Sequence, residues 1–569
     1  MRTHLPALGL LALWSLWFLA GPARVQTAPE RLPGFVEASR TAADWAAGVA
    51  HGERGARTRA GIEKAWSVER GQAPLPRLLV GLSSRWLARW LGPWAALCVP
   101  LFLLGLASAW LTWRLAERAG GRRAGLVALA LLLFSPGFPH ALHTPTPEAV
   151  IGFAWIFLAW AVVRGFESAG WRWTSLLAAG LAAASHAQGL ALAVAVALAA
   201  WALLYDRAEP SPEPAGLVRG PRLPWNVLAL PVAAVALLYA LWPLAWVDAR
   251  KAFEALWLAP LKAPYPPIAF GGRLLDARAD QGPSAWMGLV DDAGRWTPGL
   301  LLGALAGAWR ALRPVLGSPE PARRALGVGA AVLAASLLVS CLNGGTSYDG
   351  LRLDLPLLPL VAALAGPGLV ELARALGPRP WGPASRLRRA FGWLPWAAVV
   401  VAVVETAVVL PYDRFYRSPL APSVWSGGAS GSTLEVQGAL LETWLSDLEA
   451  ARPGGSTLAV VPRDAELGRV LEAMKRLGRL PAGVAPAKPD DAACLGVAHL
   501  PETAAAARLA PIVGDRREVI RYLLHGVPLF RVVCRDEAPK AAPHRRPPVK
   551  AGPKPAASPK ARVNPKEVP

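Results

Sequence analysis

The strongest restriction on this chain is the recurrence of apolar runs about 15 to 22 residues long, separated by short basic segments. A run of that length crosses the roughly 30 Å hydrocarbon core of a bilayer as an α-helix. A helix also satisfies its own backbone hydrogen bonds where no water is present. The first run is Met1 to Ala20, and others follow at about 92–113, 124–139, 148–163, 174–188, 190–205, 225–246, 297–312, 324–342, 353–373 and 391–411. The expected fold is therefore an all-α polytopic membrane bundle of about eleven helices. Ala20-Gly21-Pro22-Ala23 also suits a signal-peptide cleavage site. The many spans that follow favour an uncleaved first helix instead.

The formal charge of +21 is large enough to suggest nucleic-acid binding, but its placement points elsewhere. Arg114, Arg118, Arg122 and Arg123 fall between the second and third runs. Arg164 and Arg172, then Arg207, Arg219 and Arg222, fall two and four runs later. Arg310, Arg313, Arg323 and Arg324, and finally Arg374, Arg379, Arg386, Arg388 and Arg389, complete the set. All five segments share one side of a membrane when the N-terminus is cytoplasmic, as the positive-inside bias requires. The expected location is a bacterial inner membrane, with the N-terminus cytoplasmic, the C-terminus periplasmic, membrane lipids as surroundings and no nucleic-acid partner.

The chain divides into a membrane unit, residues 1–429, a small α/β unit at 430–534 and a tail at 535–569. Outer loops are expected at 21–91 and 247–296. Within the first, Leu78, Leu82, Trp86 and Trp90 recur every four residues with Arg77, Arg85 and Arg89 between them. That pattern describes an amphipathic helix lying in the membrane interface, or a helix buried within the loop unit itself. In the α/β unit, helices are expected over Ala439 to Ala451 and Ala465 to Leu477, and strands over Thr457 to Val461 and Tyr522 to Val533. The tail is rich in Lys, Pro and Ala and has the composition of a disordered segment. Cys98 and Cys341 read as small hydrophobes of the spans. Cys494 and Cys534 can form a disulfide if their unit is periplasmic.

Polar residues at the outer ends of spans are the candidates for chemistry, because charge at membrane depth requires a reason. Glu37, shortly after the first run, is placed to act as a general base toward an acceptor hydroxyl or amine; the plain alternative is a solvated loop acid. Glu148 opens the fourth run beside His140 and His143. It either caps its helix or belongs with His143 to a substrate or metal site. His186 and Gln188 stand in an otherwise apolar hairpin, where they meet an anionic phosphate or bond between helices. Tyr348-Asp349-Gly350-Leu351-Arg352 places a guanidinium at an outer edge, against the charge bias. Arg352 there either grips a lipid-linked phosphate or pairs with Asp349.

In order and spacing these stretches resemble the polytopic glycosyltransferases that use lipid-linked sugars, the GT-C group with the protein O-mannosyltransferases and lipid A aminoarabinose transferases. The resemblance is carried by the acidic outer loop followed by Ala73-Pro74-Leu75-Pro76, by Gly120-Gly-Arg-Arg-Ala-Gly125 with Ser135-Pro136-Gly137-Phe138, and by the acidic start of the fourth run. Tyr348-Asp-Gly-Leu-Arg352 with Leu357-Leu-Pro359, and Gly526-Val527-Pro528-Leu529, add to it. It extends over roughly residues 1–535. It implies transfer of a sugar from a polyprenyl phosphate to a lipid, glycan or protein acceptor at the outer face, with a divalent cation as a possible cofactor. Glu37 matches the loop acid that serves as base or metal-linked carboxylate, and Glu148 a second acid, usually Asp. His186 falls near a position that is commonly basic, and Arg352 near the residue that would hold the phosphate. The chain departs from the family where Asp followed by Glu is usual, because here the pair is Val36-Glu37.

Two other readings compete with the enzyme. A transporter or flippase would break helices near mid-membrane and often repeat its halves, whereas the polar groups here gather at span ends. A catalytically inactive relative acting as a scaffold in envelope assembly would keep the bundle without needing the acids.

Overall fold

The computed structural model of the chain describes residues 4–20, 33–66, 73–186, 188–205, 225–254, 268–270, 273–275, 294–312, 327–335, 355–377, 391–409, 418, 431–432, 441–452, 456–461, 484–488, 490–498, 511–524 and 527–535. Tyr348, Asp349, Arg352, the expected helix Ala465 to Leu477 and the tail lie outside the described residues.

The apolar runs are helices. They are α1 (Leu5–Ala20), α5 (Pro93–Gly120), α6 (Arg122–Leu133), α8 (Glu148–Gly165), α9 (Ala169–Ser185), α10 (Gln188–Tyr205) and α11 (Trp225–Leu241), then α14 (Pro298–Leu312), α15 (327–335), α16 (Leu358–Leu376) and α17 (Leu394–Val409). Among the described residues three stretches are long and apolar enough to cross a membrane by length and composition: Ala95–Gly120, Glu148–Gly165 and Leu355–Leu376. The run expected to continue to residue 246 breaks at Trp242. Pro243 lacks the N–H a continuing helix needs, and it opens α12 (Pro243–Val247). The run expected over 124–139 ends at Leu133, and after the bend at Ser135–Gly137 comes α7 (Phe138–His143).

Packing inside the bundle relies on close backbone approach. Gly303 and Gly307 of α14 lie one turn apart and face α16, so a Cβ on Gly307 would come within 2.2 Å of the Leu364 carbonyl oxygen. Small residues at four-residue spacing provide this approach where apolar burial gives helices no mutual attraction. Polar side chains close the remaining gaps. Trp14 donates its indole N–H to the Leu133 carbonyl at 2.8 Å, and Thr112 donates to the Pro359 carbonyl at 3.2 Å.

The first loop is more ordered in sequence terms than a polar linker. It forms α2 (Pro33–Ala50), α3 (Arg59–Trp66) and α4 (Pro74–Leu91). Glu37, expected in a loop, therefore stands on a helix. The residues Ala38, Ala42, Ala43, Ala46 and Ala47 explain why, since alanine is the best helix former. Helix α4 starts with prolines at its first positions, where their fixed φ suits a helix and their missing N–H is harmless. Arg77, Val80, Gly81 and Ser84 form its buried face; Trp86 and Trp90 are 69% and 73% exposed on the other. The helix expected in the membrane interface thus also has a buried side.

The 247–296 loop begins with α13 (Ala249–Phe253), packed on α12, and continues to β1 (Ile268–Phe270) and β2 (Arg273–Leu275). β1 also pairs with β3 (Gly431–Ser432), which joins this loop to the start of the C-terminal unit. That unit holds α18 (Leu441–Ala451), β4 (Ser456–Val461), β5 (Val484–Pro486), β6 (Cys494–Ala498), β7 (Arg517–Leu524) and β8 (Val527–Cys534). The sheet order is β5-β4-β6-β8-β7; β4 runs parallel to its neighbours, and the β6–β8 and β8–β7 pairs are antiparallel. The single strand expected over Tyr522 to Val533 is instead the hairpin β7–β8. The dipeptide His525-Gly526 is a turn signal that the flanking apolar residues obscured.

Candidate functional site

Helix α8 is the element on which the candidate site is built. Glu148 is its first residue, 4% exposed, with Pro147 in the cap position. The unpaired N–H groups of the first turn and the helix dipole favour a carboxylate there. Buried Thr144 and Thr146 precede it, and buried Ser135 lies in the bend before α7. Gly152 and Trp155 lie one and two turns further on the same face.

Two distant segments meet that face. A Cβ on Gly152 would stand 3.3 Å from the Pro356 Cα, so the 355–357 turn presses against α8 one turn from Glu148. His186, the C-cap of α9, stands edge-on to Trp155 with ring centroids 6.3 Å apart. The Gln188 backbone N–H donates to His186 Nδ1 at 3.2 Å. Glu148, His186, Gln188 and the 355–357 turn are thereby gathered along one side of α8. His143 closes α7 next to it in sequence; its side chain lies outside the described atoms.

Glu37 is placed differently. It is exposed on α2, while its neighbour Val36 is 3% exposed and belongs to the apolar core. Helix α4 is the connection: it packs on α2 and also touches α8 and α9. The crossing of α2 and α4 is at Gly81, where a Cβ would come within 2.0 Å of the Ser39 carbonyl oxygen. Asp44, on the same helix as Glu37, pairs with Arg85 of α4 at 2.5 Å.

Two buried arginines at this end of the bundle did not stand out in the sequence. Arg77 is 2% exposed, donates to the carbonyls of Ala38 at 3.1 Å and Ala65 at 2.8 Å, and stacks 4.9 Å from the centre of the Trp66 ring. One guanidinium therefore ties α2, α3 and α4 together. Its fork geometry matches two carbonyls in a way that an ammonium does not. Burial pushes it down to about 10, so it remains charged at neutral pH. Arg295 is 1% exposed just before α14, where Thr297 caps the helix by accepting from the Leu300 N–H at 3.4 Å. The reasoning that singled out Arg352, a basic residue beside the start of an apolar run, would have found Arg295 too.

The layer is joined to the second loop by a closed ring of four charges. Arg59 contacts Glu63 at 3.1 Å and Asp248 at 3.6 Å, and Lys251 contacts Glu63 at 3.4 Å and Asp248 at 3.9 Å. Arg59 and Lys251 hold the Glu63 carboxyl below its ordinary value. At the opposite end of the bundle, Arg118 and Arg164 both pair with Glu167, and Arg114 pairs with Glu117. At that end Arg114 and Arg164 also lie over the Trp113, Trp160 and Trp171 rings.

Among the described residues no group of three or more His, Cys, Asp or Glu side chains is arranged to hold a metal ion.

These features define the class as a mostly helical membrane protein with charged and polar groups at both ends of its apolar helices. Residues 92–218 match the profile of the family described as dolichyl-phosphate-mannose-protein mannosyltransferase. Over that segment the chain is similar to the membrane glycosyltransferases that use polyprenyl-phosphate sugars, as its motifs led us to expect. The matched stretch carries Glu148, His143, His186 and Gln188. Among solved structures, ArnT from Cupriavidus metallidurans bound to undecaprenyl phosphate aligns over 94% of this chain and 98% of its own at 16% identity, with a TM-score of 0.44. The oligosaccharyltransferase of Archaeoglobus fulgidus in its apo form aligns over 86% and 65% at 14% identity, with a TM-score of 0.43. No curated protein sequence matches the chain.

Proposed function

We infer that the protein is a membrane glycosyltransferase that moves a sugar from a polyprenyl-phosphate donor to a lipid, glycan or protein acceptor at the periplasmic end of a bundle of about eleven spans. The observation that carries this reading is the family match over residues 92–218, with Glu148 buried at the start of the helix inside it. In the reaction the acceptor oxygen or nitrogen attacks the anomeric carbon, its proton passes to a carboxylate, and the bond to the lipid phosphate breaks with its electrons leaving on the phosphate. Glu37 is the base in this scheme and Glu148 the second acid. Arg352 neutralises the departing phosphate, and His143, His186, Gln188, Tyr348 and Asp349 contact the donor.

The disulfide between Cys494 and Cys534 supports a periplasmic location for the 430–534 unit, since such bonds persist in oxidising compartments. The arginine clusters at the opposite end support a cytoplasmic N-terminus. The membrane unit 1–429 and the tail 535–569 complete the proposed division of the chain.

The test compares lipid-linked sugars and surface glycans in cells with and without the gene. Accumulated polyprenyl-phosphate sugar on the outer leaflet is the expected result; unchanged donor and glycans would refute it. Donor trapped on the cytoplasmic leaflet would instead identify a flippase. One observation favours a scaffold relative as the second reading. Position 36, where the family commonly has an acid, is a valine packed in the apolar core.

A further inference from the structure

The arginines at the end of α8 opposite Glu148 take no part in the proposed reaction, and three of them share partners. Arg114 and Arg118 lie one turn apart near the end of α5, and Arg164 is in the last turn of α8. Arg118 and Arg164 are both held by the single carboxylate of Glu167. Arg114 and Arg164 both lie over the Trp160 ring, at 5.9 and 5.8 Å from its centre. Glu117 contacts Arg114 at 2.6 Å. Three guanidiniums thus meet two carboxylates, and each arginine side chain keeps 30 or 31% of its surface exposed. Helix C-termini favour a cation, which accounts for Arg118 on α5 and Arg164 on α8. Arg122 does not fit that rule. It is exposed and opens α6, the helix end at which the dipole favours an anion, and Gly121 in the cap position has no side chain to offer. The same end carries exposed indoles. Trp173 near the start of α9 and Trp225 at the start of α11 are 64% and 45% exposed, with ring centres 4.9 Å apart. Indoles so placed mark the headgroup level of a bilayer.

We propose that Arg114, Arg118 and Arg164 form a surface site for the headgroup of an anionic phospholipid, of the phosphatidylglycerol kind, in the leaflet at this end of the bundle. The site lies at the far end of α8 from Glu148 and does not depend on the glycosyltransferase reading. A guanidinium fork matches two oxygens of a phosphodiester. Basic groups gathered between helix ends hold anionic headgroups in the same way. The partner is a lipid because the cluster stands at the ends of apolar helices, level with exposed indoles, where phosphodiesters of the bilayer lie. Phosphatidylethanolamine carries the same phosphodiester, but its ammonium would add to the excess of positive charge.

The test uses the full chain in mild detergent, with native mass spectrometry reading phosphatidylglycerol against phosphatidylethanolamine of the same acyl chains. The wild type is expected to bind phosphatidylglycerol more tightly. Arg118→Gln and Arg164→Gln are each expected to weaken it about fivefold with phosphatidylethanolamine unchanged. Glu167→Gln removes the carboxylate that competes for two of the guanidiniums, and is expected to strengthen phosphatidylglycerol binding. That gain separates a lipid site from a plain ion-pair cluster, in which the same change only loosens the helix ends. Equal binding of the two lipids by the wild type, or a preference retained in both arginine variants, would overturn the site. Displacement by equimolar inorganic phosphate would assign the cluster to a free anion and refute the lipid. If the arginine variants fail to insert, Glu167→Gln decides, and unchanged or weaker phosphatidylglycerol binding there overturns the proposal.

Discussion

Pro356 rests on Gly152. A Cβ on that glycine would meet the proline at 3.3 Å from its Cα and 3.5 Å from its carbonyl oxygen, inside ordinary contact distance. This single close approach brings the Leu355–Leu357 turn onto the helix that Glu148 opens. Residues some two hundred positions apart thereby share one helix face.

Enlarging the glycine tests that relationship directly. Gly152→Leu should force the 355–357 turn away from α8 at a cost of about 1–3 kcal/mol. Membrane insertion is expected to be normal, because hydropathy is unchanged or higher. Sugar transfer to acceptor, measured in membranes, is expected to fall at least tenfold, and wild-type transfer would show that the approach has no bearing on function.

The acids are expected to separate from the scaffold. Glu148→Gln and Glu37→Gln should each abolish transfer and leave membrane insertion intact, and Arg352→Ala should do the same. Normal glycan modification in all three would remove the site assignment. Loss in Glu148→Gln alone would locate the reaction on α8 without the α2 layer.

Arg77 makes the first-loop layer sensitive to a conservative change. Arg77→Lys keeps the charge but cannot fork between the Ala38 and Ala65 carbonyls, and a buried acceptor left unpaired costs about 1–3 kcal/mol. A lower thermal midpoint is the expected measurement. The pH dependence has a fixed sign. Burial lowers the folded-state pKa of this base from its ordinary value to about 10, so its unfavourable contribution is fully present below pH 10 and is relieved only as pH rises through about 10. Between pH 6 and 9 Arg77 should contribute no slope to stability.

The four-charge ring should respond to acid. Arg59 and then Lys251 lower the Glu63 carboxyl below 4.5, so its support of the ring is present above that value and is lost as pH falls below it. Hydrogen exchange over α3 and α13 should accelerate together at acid pH in wild type. In Glu63→Gln the acid step should be absent; an unchanged step would assign it to another group.

Cys494 and Cys534 face each other across β6 and β8 with Cα atoms 4.1 Å apart. The neighbouring pair is hydrogen-bonded, Arg535 donating its N–H to the Ala493 carbonyl at 2.9 Å. The cysteines therefore occupy a non-hydrogen-bonded position, where strands come closest. Cys494→Ser is expected to lower the stability of the C-terminal unit by about 2–4 kcal/mol. Limited proteolysis should cleave this unit sooner in the variant while the membrane helices stay protected.

Length and apolarity alone determined the helices of the bundle, because a segment in hydrocarbon must satisfy its own backbone whatever its neighbours are. Charge placement in the same way distinguished the arginine-rich end before any contact was known, and the short apolar run Thr457 to Val461 was legible as a strand. Glu148 was legible as a helix-starting acid from Pro147 and the apolar run after it. The tertiary structure decided which of these residues meet. It turned Val36 inward and Glu37 outward on α2, buried Arg77 against Trp66, split Tyr522 to Val533 into a hairpin and stood His186 against Trp155. None of these follows from local pattern, since each depends on which face of one element lies against another. That choice is made by packing among distant segments, through approaches as close as Gly81 on Ser39 and Gly152 on Pro356.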